Sequence, residues 1–99
     1  MPDLDDGLKA LVHPVRRAIL ARLKTPESCF SDQEYPLSLG VCAGQIERSC
    51  QLAQSSVSAH LAVLLAAGLI TARRIGQWVF YKRDEAAIAA LLARLGETL

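Results

Sequence analysis

Apolar residues recur at helical spacing through the first quarter of the chain. Leu4, Leu8, Leu11 and Val12 predict a first helix over about residues 3–12. His13 is followed by Pro14, which suits the first turn of a helix because its missing N–H is not needed there. A second helix is therefore predicted from Pro14 to about Lys24. Its buried stripe comprises Val15, Ala18, Ile19, Leu20 and Leu23.

The 25–40 segment, TPESCFSDQEYPLSLG, breaks this periodicity. Two prolines, three serines and mixed charge predict a loop or an irregular element. The segment is long for a connection in a small helical domain, and loops of such length are often functional or mobile. It also carries Cys29, Phe30 and Tyr35, an unusual load for a passive linker.

Two further helices are predicted in the middle of the chain. Residues 41–50 form the first of these, with Val41, Ile46 and Cys50 facing inward, and residues 51–53 form a turn. Residues 54–67 form the next helix, and Gly68 is placed to be the left-handed residue that ends it. One face of this helix carries Val57, Leu61, Leu64 and Leu65.

A hairpin and a last helix complete the pattern. Residues 70–75 and 77–82 read as strands around Gly76, and Asp84 is placed to cap a helix from Glu85 to about Leu95. The predicted order is α-α-α-α-β-β-α, that of a winged helix-turn-helix: mainly α with a β-hairpin wing. We expect a single domain over residues 1–99, with the helix-turn-helix at 41–68, the wing at 70–83 and a dimerisation helix at 84–98.

Composition narrows the class of protein. The 99 residues are 52% hydrophobic, which is rich for so small a monomer and suggests that a second copy covers apolar surface. The chain contains no run of about 18 apolar residues, so no membrane span is predicted. The N-terminus is acidic first and basic later, the reverse of a secretory signal. Three cysteines are too few and unpaired for a disulfide scaffold, so we expect a reducing, cytoplasmic setting.

Charge is unevenly distributed along the chain. The net charge is only +1, yet residues 41–83 hold five basic residues against Glu47 alone, which is +4 there and leaves −3 elsewhere. Positive charge on the predicted helix-turn-helix and wing (residues 41–83) suits a polyanionic partner. Charge alone does not exclude an ordinary scatter of surface residues. The low total predicts modest non-specific affinity.

Three stretches resemble the ArsR/SmtB family of bacterial repressors: LVHPVRRAIL, QSSVSAHLAVLLAAGLI and RRIGQWVFYKRD. The resemblance covers nearly the whole chain except the 25–40 segment, which reads as an insertion. It implies a homodimer that sits on a partly palindromic operator in double-stranded DNA and leaves it when an effector binds.

The candidate DNA contacts lie at the start of the fourth helix and in the wing. The helix offers short or planar polar groups to base edges and phosphates: Gln54, Ser55, Ser56, Ser58 and His60. The wing offers Arg73, Arg74, Gln77 and Lys82, while Trp78, Phe80 and Tyr81 anchor the hairpin. A half-buried packing role is the alternative for His60. Family members often have Ser in place of Ala53 and Arg in place of Ala59, so we expect weaker DNA binding here.

The cysteines bear on the effector. Arsenite-sensing relatives begin the third helix with a Cys-x-Cys pair and a further Cys, and here only Cys42 remains of that set. Zinc-sensing relatives use the last helix, which has no histidine in this chain. A metal or metalloid is therefore an open alternative with incomplete ligands; a site joining all three thiols would need unusual geometry, since Cys42 and Cys50 lie about 12 Å apart along a helix.

Cys42 and Cys29 are the candidate sensor thiols. Cys42 is placed near a helix N-terminus, where the helix dipole favours the thiolate, and the 25–40 segment could bring Cys29 toward it. A disulfide between the two, or an adduct at Cys42, would lie beside the fourth helix, which carries the candidate DNA contacts, and could tilt it. Inert packing is the alternative for Cys42 and the expectation for Cys50.

An apolar surface on the first and last helices is the candidate dimer interface. It comprises Leu4, Leu8, Leu11, Ile88, Leu91, Leu92 and Leu95. A small monomer could instead bury these residues internally, but the resemblance and the apolar excess favour a dimer.

Two other function classes fit the sequence less well. A winged-helix module that binds protein rather than DNA would favour an apolar reading helix and an uncharged wing, unlike Ser55, Ser56 and Arg73. An enzyme is not expected, because the sequence shows no nucleophile–base–acid set, phosphate loop or complete metal site.

Overall fold

The computed structural model describes residues 3–99, which contain six α-helices, a short 3₁₀-helix and three strands. The N-terminal half holds α1 (Leu4–Leu11), α2 (Pro14–Lys24), α3 (Pro26–Cys29), the 3₁₀-helix (Leu37–Leu39) and β1 (Val41–Cys42). The C-terminal half holds α4 (Ala43–Cys50), α5 (Gln54–Ala66), β2 (Ile70–Ile75), β3 (Trp78–Arg83) and α6 (Glu85–Thr98).

The first two helices follow the predicted pattern. α2 begins at Pro14, and the His13 side chain caps it by accepting a 3.1 Å hydrogen bond at Nδ1 from the Val15 amide. Ile19, Leu20 and Leu23 are the buried residues of this helix. A histidine cap satisfies one of the amides that the first turn of a helix leaves without a partner. His13 therefore has a structural role.

The 25–40 segment is more ordered than the predicted loop. It contains α3 and the 3₁₀-helix, and Phe30 is only 1% exposed within the core. The Gln33 side chain donates to the carbonyls of Tyr35 (3.0 Å) and Gly40 (3.1 Å) and accepts from the Cys42 amide (2.8 Å). These bonds close the segment on itself and join it to β1. Of the two predicted descriptions, an irregular element fits the segment better than a loop.

A third strand corrects the predicted element order. Val41 and Cys42 pair antiparallel with Tyr81 and Phe80, so the sheet order is β1-β3-β2 and α4 starts only at Ala43. The pairing is close because Gly40 has a φ of 109°, and a Cβ there would lie 2.9 Å from the Tyr81 carbonyl oxygen. Two residues are too few to show a strand period, which is why the sequence pattern predicts helix for them.

The helix-turn-helix and the hairpin lie where the pattern places them. Gln51 ends α4 in the left-handed region (φ 55°), and Gly68, with φ 76°, follows α5. β2 and β3 pair from Ile70↔Arg83 to Ile75↔Trp78. Asp84 accepts a 3.0 Å hydrogen bond at Oδ1 from the Ala87 amide and so caps α6 as predicted. The fold class, mainly α with a hairpin wing, is confirmed.

The core lies between α2, α5 and the sheet, with α1 and α6 closing one side. The largest fully buried side chains are Phe30, Phe80, Ile19, Ile46, Leu64, Leu69, Val41 and Val57. Burying each such side chain contributes about 1.5–3 kcal/mol before the entropy of ordering is subtracted. Within residues 3–99, no helix is both long and apolar enough to cross a membrane.

The close approach of α1 to α6 corrects one predicted interface residue. Leu91 is 4% exposed, and a Cβ at Gly7 would lie 2.7 Å from its Cδ1 atom. Leu91 therefore belongs to the core of a single chain, because its side chain fills the space that Gly7 leaves open. It has almost no surface to offer to a second copy.

Candidate nucleic-acid interface

The first turn of α5 presents a polar surface to solvent. Gln54, Ser55, Ser56 and Ser58 are exposed, while Val57 and Leu61 on the opposite side are buried. Helical spacing therefore directs the polar groups outward by anchoring the apolar ones in the core. The N-cap residue Ala53 makes no side-chain hydrogen bond, so the amides of Gln54 and Ser55 keep their capacity to bind a phosphate, whereas the Ser56 amide donates to the Ala53 carbonyl at 3.0 Å.

His60 lies one turn further along α5 and is half-buried against α2. Its ring centroid is 4.3 Å from that of His13, and its Nδ1 atom is 3.4 Å from Nη1 of Arg16. Desolvation by burial, followed by the charges of His13 and Arg16, lowers the pKa of His60 below its usual value. One edge of the ring therefore contacts other residues of the same chain, which agrees with the half-buried packing role considered for His60.

The two wing arginines occupy opposite faces of β2. Arg73 pairs with Phe80 and Arg74 pairs with Val79, and adjacent strand residues point to opposite sides. Both side chains are exposed, and Arg74 Nε donates a long 3.4 Å hydrogen bond to the Gly76 carbonyl at the tip. The two cations therefore cannot approach a phosphate from the same side of the strand.

The remaining wing candidates are far apart on the hairpin. Gln77 is exposed in the turn, beside Gly76 with its φ of 60°. Lys82 lies at the base of the hairpin, where it lines a cavity of about 300 Å³ with Leu23 and Pro26. The structure thus separates Lys82 from the tip, although the sequence groups it with the wing.

One basic residue of the 41–83 unit is not on the surface. Arg83 donates to the Leu20 carbonyl (3.2 Å) and pairs with Glu85, Nε to Oε2 at 2.9 Å, with only 12% of its side chain exposed. It joins the end of the wing to α2 and α6. The +4 charge of residues 41–83 therefore overstates what that unit offers to DNA.

Arg48 is an exposed cation that the sequence pattern did not single out as a DNA contact. It lies on α4 and lines a groove of about 500 Å³ between that helix, the 25–40 segment and Trp78 of the wing. Trp78 is 41% exposed, and its ring centroid is 6.0 Å from that of Tyr35. The excess of basic residues in 41–83 could have drawn attention to Arg48 as a DNA contact. Only the fold shows that its side chain is exposed.

The three cysteines are free thiols with different surroundings. Cys29 is exposed on α3, with its Sγ atom 3.7 Å from the Thr25 hydroxyl. Cys42 is the half-buried N-cap residue of α4 and lines the same groove as Arg48. Cys50 packs against the core, as predicted, and lies 3.7 Å from Nη1 of Arg22. Among residues 3–99, no three His, Cys, Asp or Glu side chains cluster as metal ligands would.

The candidate dimer surface is divided between core and solvent. Leu4, Leu8, Leu11, Ile88 and Leu95 are half-buried, whereas Leu92 is 60% exposed. Val12, just after α1, is 71% exposed. Since Leu91 is already buried within the chain, Leu92 is the large apolar residue of the predicted stripe that stands free on α6.

Comparison with known families identifies the same part of the chain. A family model described as "Bacterial regulatory protein, arsR family" matches residues 41–72, which include β1, α4, α5 and the start of β2. The matched region is the helix-turn-helix whose polar first turn is described above.

Comparison with individual proteins extends the similarity over most of the chain. The uncharacterized HTH-type transcriptional regulator YbzH of Bacillus subtilis (strain 168) is 45% identical over 85 residues, covering 84% of this chain and 85% of YbzH. The transcriptional repressor BigR from Xylella fastidiosa is 26% identical with a TM-score of 0.60, covering 90% of this chain and 79% of that one. The ArsR family transcriptional regulator RHA00566 has a TM-score of 0.73 at 23% identity, covering 96% and 90%, and so supports the fold alone.

Proposed function

Because this chain belongs to the ArsR family of bacterial regulatory proteins and is a DNA-binding transcriptional regulator, we propose that it acts as a homodimeric repressor. Two copies would sit on a partly palindromic operator and leave it when an effector binds. The observation that carries this proposal is the first turn of α5, where exposed polar groups surround helix amides that no side chain caps.

The contacts would be divided between two elements. Gln54, Ser55, Ser56 and Ser58 would reach base edges and phosphates from α5, which has the size and polarity of a helix that enters the major groove. His60 has one ring edge held inside the chain, so only its other edge would face DNA. In the wing, Arg73, Arg74 and Gln77 are exposed near the tip and would meet the backbone or minor groove, whereas Lys82 would contribute only from the base.

A dimer would bring two such reading helices together. The exposed Leu92 and the half-buried leucines of α1 and α6 form the surface through which the copies would pack. Two helices held in this way would read half-sites about 34 Å apart, one turn of DNA. A protein of this kind acts where the chromosome is, so a cytoplasmic location belongs to the proposal.

Release would follow from chemistry at the start of α4. Cys42 occupies the N-cap position of that helix without a side-chain capping bond, its amide donates to Gln33, and its side chain lines the groove beside Arg48. Oxidation or alkylation there would add volume between the 25–40 segment and the helix-turn-helix. A metal, metalloid or small ligand is the alternative effector, and Cys29 is the second thiol to test.

The alternative is a winged-helix module that binds protein. Val63 of α5 and Ile75 of β2 are 38% and 37% exposed, so the surface formed by α5 and the wing is not wholly polar. The serines of the first turn and the wing arginines nevertheless favour DNA.

Fluorescence anisotropy tests the proposal directly. The duplex would come from the region upstream of the protein's own coding sequence, with a scrambled duplex as control. Specific binding by reduced protein, weakened about fivefold or more by Ser56→Ala but not by Ser28→Ala, would support a repressor that reads DNA through α5. Equal affinity for both duplexes would contradict it.

The same assay after mild thiol oxidation tests the effector. Loss of binding in the wild type, retained by Cys42→Ser, would assign the response to Cys42. Unchanged binding of the oxidised wild type would remove Cys42 and Cys29 from the effector mechanism and leave metals and small ligands to test.

A further inference from the structure

The guanidinium group of Arg16 joins three elements of the fold. Its Nε atom donates to the Ala10 carbonyl at 2.7 Å, and its Nη2 atom donates to the Lys9 carbonyl at 3.0 Å. Both carbonyls belong to the last turn of α1, where carbonyls lack the usual helical partners; the Lys9 carbonyl also accepts a long 3.5 Å bond from the Val12 amide. The third nitrogen, Nη1, lies 3.4 Å from Nδ1 of His60 on α5. Arg16 itself is on α2, so one side chain links α1, α2 and α5.

The third contact, taken as a hydrogen bond, selects one state of the His60 ring. A guanidinium group can only donate hydrogen bonds and stays charged in proteins. Nδ1 of His60 can accept from it only when that nitrogen carries no proton. The neutral ring must then carry its proton on Nε2, because one nitrogen of a neutral imidazole is always protonated. The ring is thereby left with an N–H donor on the edge that does not face Arg16.

The charges around His60 act in the same direction. His13, which caps α2, and Arg16 are the groups whose charges act on the ring, and both oppose a second proton on it. No acidic side chain of the described residues is among the groups that shift the pKa of His60. A doubly protonated ring would lose the hydrogen bond from Arg16 and face it as a like charge.

We propose that Arg16 is a positioning residue that couples the end of α1 to the recognition helix α5 through the neutral, Nε2-protonated His60. In the dimer, α1 would lie at the interface between copies, so this link would carry the geometry of the interface to the helix that reads DNA. The inference rests on the proposed function for its effect on DNA affinity, but not for its effect on the His60 ring.

Three variants separate the roles of Arg16. Arg16→Gln removes the charge and the three-way link. Arg16→Lys keeps the charge but cannot reach three acceptors with a planar fork. Arg17→Gln is the matched control, because Arg17 donates to the Leu11 carbonyl at 2.6 Å and so also supports the end of α1, but through a bond that does not involve His60.

Two measurements follow on the full-length protein. Nitrogen-15 NMR of the imidazole rings, recorded without DNA across a pH titration, gives the tautomer and the pKa of His60. Fluorescence anisotropy on the upstream duplex gives the affinity of the same variants at about pH 7, where a typical histidine is mostly neutral.

The expected result is specific to Arg16. The wild type and Arg17→Gln should show the Nε2-protonated ring, whereas Arg16→Gln should show a mixture of tautomers and a higher His60 pKa. DNA affinity should fall about tenfold for both Arg16→Gln and Arg16→Lys, the change expected for loss of one charge-assisted hydrogen bond, and much less for Arg17→Gln.

Several results would overturn the proposal. An unchanged tautomer and pKa in Arg16→Gln would show that Arg16 does not hold the ring. Wild-type affinity in Arg16→Lys would show that charge alone is enough, and an equal loss in Arg17→Gln would reduce the effect to general support of α1. If the wild type binds no specific duplex, the proposed function fails, while the NMR result still decides whether Arg16 positions His60.

Discussion

At the scale of single residues, the basic side chains of this chain have two roles, which overlap in Arg17 because it is exposed as well as hydrogen-bonded to the main chain. Arg16, Arg17 and Arg83 donate to main-chain carbonyls and hold elements of the fold together. Arg48 and Arg73 are exposed and can meet a polyanion from the surface. Net charge counts both groups alike, so it is a poor measure of the DNA-binding potential of this molecule.

The two wing arginines provide a prediction at this scale. Arg73→Gln and Arg74→Gln should weaken DNA binding to different extents, because the side chains lie on opposite faces of β2. Each phosphate contact that is lost should make the slope of log affinity against log salt shallower by about 0.9, and a dimer loses two. Anisotropy titrations at a series of salt concentrations measure this slope. Lys24→Gln, which removes an exposed charge at the end of α2, is the control. If all three variants keep the wild-type slope, the wing does not touch the phosphates.

His60 provides a second prediction, on stability. Burial and the neighbouring charges lower the pKa of His60 in the folded protein, so the fold favours the neutral ring. Its contribution to stability is fully present above the unfolded pKa of about 6.5 and is lost as the pH falls through the lower folded value. The free energy of unfolding of the wild type should therefore fall with acidification more steeply than that of His60→Gln. Urea denaturation at several pH values measures the difference, and parallel curves for the two proteins would contradict the assignment.

At the scale of elements, the strength of the local signal decided what could be predicted. α2, α5 and α6 each combine an apolar period with a start or stop residue: Pro14 for α2, Gly68 for α5 and Asp84 for α6. β1 has two residues, and α3 has four, which is too short for a period to be visible. The 25–40 segment is ordered by contacts with distant parts of the chain, such as Tyr35 with Trp78 and Phe80.

The missing cap of α5 provides the prediction at this scale. Ala53→Ser should raise the free energy of unfolding by about 1 kcal/mol, because a serine hydroxyl at the N-cap can accept from a first-turn amide. Urea denaturation monitored by circular dichroism measures this gain. Ala59→Ser places the same hydroxyl at an exposed position inside α5, where it should bring no gain. An equal effect of the two substitutions would show that the gain does not come from capping.

At the scale of the whole molecule, the α1–α6 helix pair carries an apolar surface that the chain itself does not fully cover. The molecule measures 42 × 26 × 25 Å. Leu92 of α6 lies outside its hydrophobic core and is 60% exposed. A large apolar residue in this position suits packing against a second copy. The dimer is the part of the proposal that depends on this surface.

Leu92→Asp tests the dimer. The buried charge should prevent association, and DNA affinity should fall about a hundredfold, because a monomer loses the effective concentration of the second reading helix. Analytical ultracentrifugation gives the oligomeric state, and anisotropy gives the affinity. Ala86→Asp adds the same charge at an exposed position in the first turn of α6, where an acid is tolerated, and serves as the control. A Leu92→Asp protein that remains dimeric would place the interface elsewhere.

Local properties of the chain were enough to predict the fold class and a polar first turn on α5. Periodicity and stop residues act over a few neighbouring positions, so they predict the order of the long helices, the hairpin and the polar start of α5. The excess of basic residues in 41–83 is likewise visible in the amino-acid order; it suits a polyanionic partner but does not by itself distinguish one from ordinary surface charge.

Which side chains are available to act depends instead on how distant segments pack. Packing buried Leu91 against Gly7, turned Arg83 inward and placed His60 against His13 and Arg16. It also folded the 25–40 segment onto the wing through Tyr35, which contacts Trp78 and Phe80. Each outcome depends on contacts between residues far apart in the chain, and the pattern along the chain carries no direct record of such contacts.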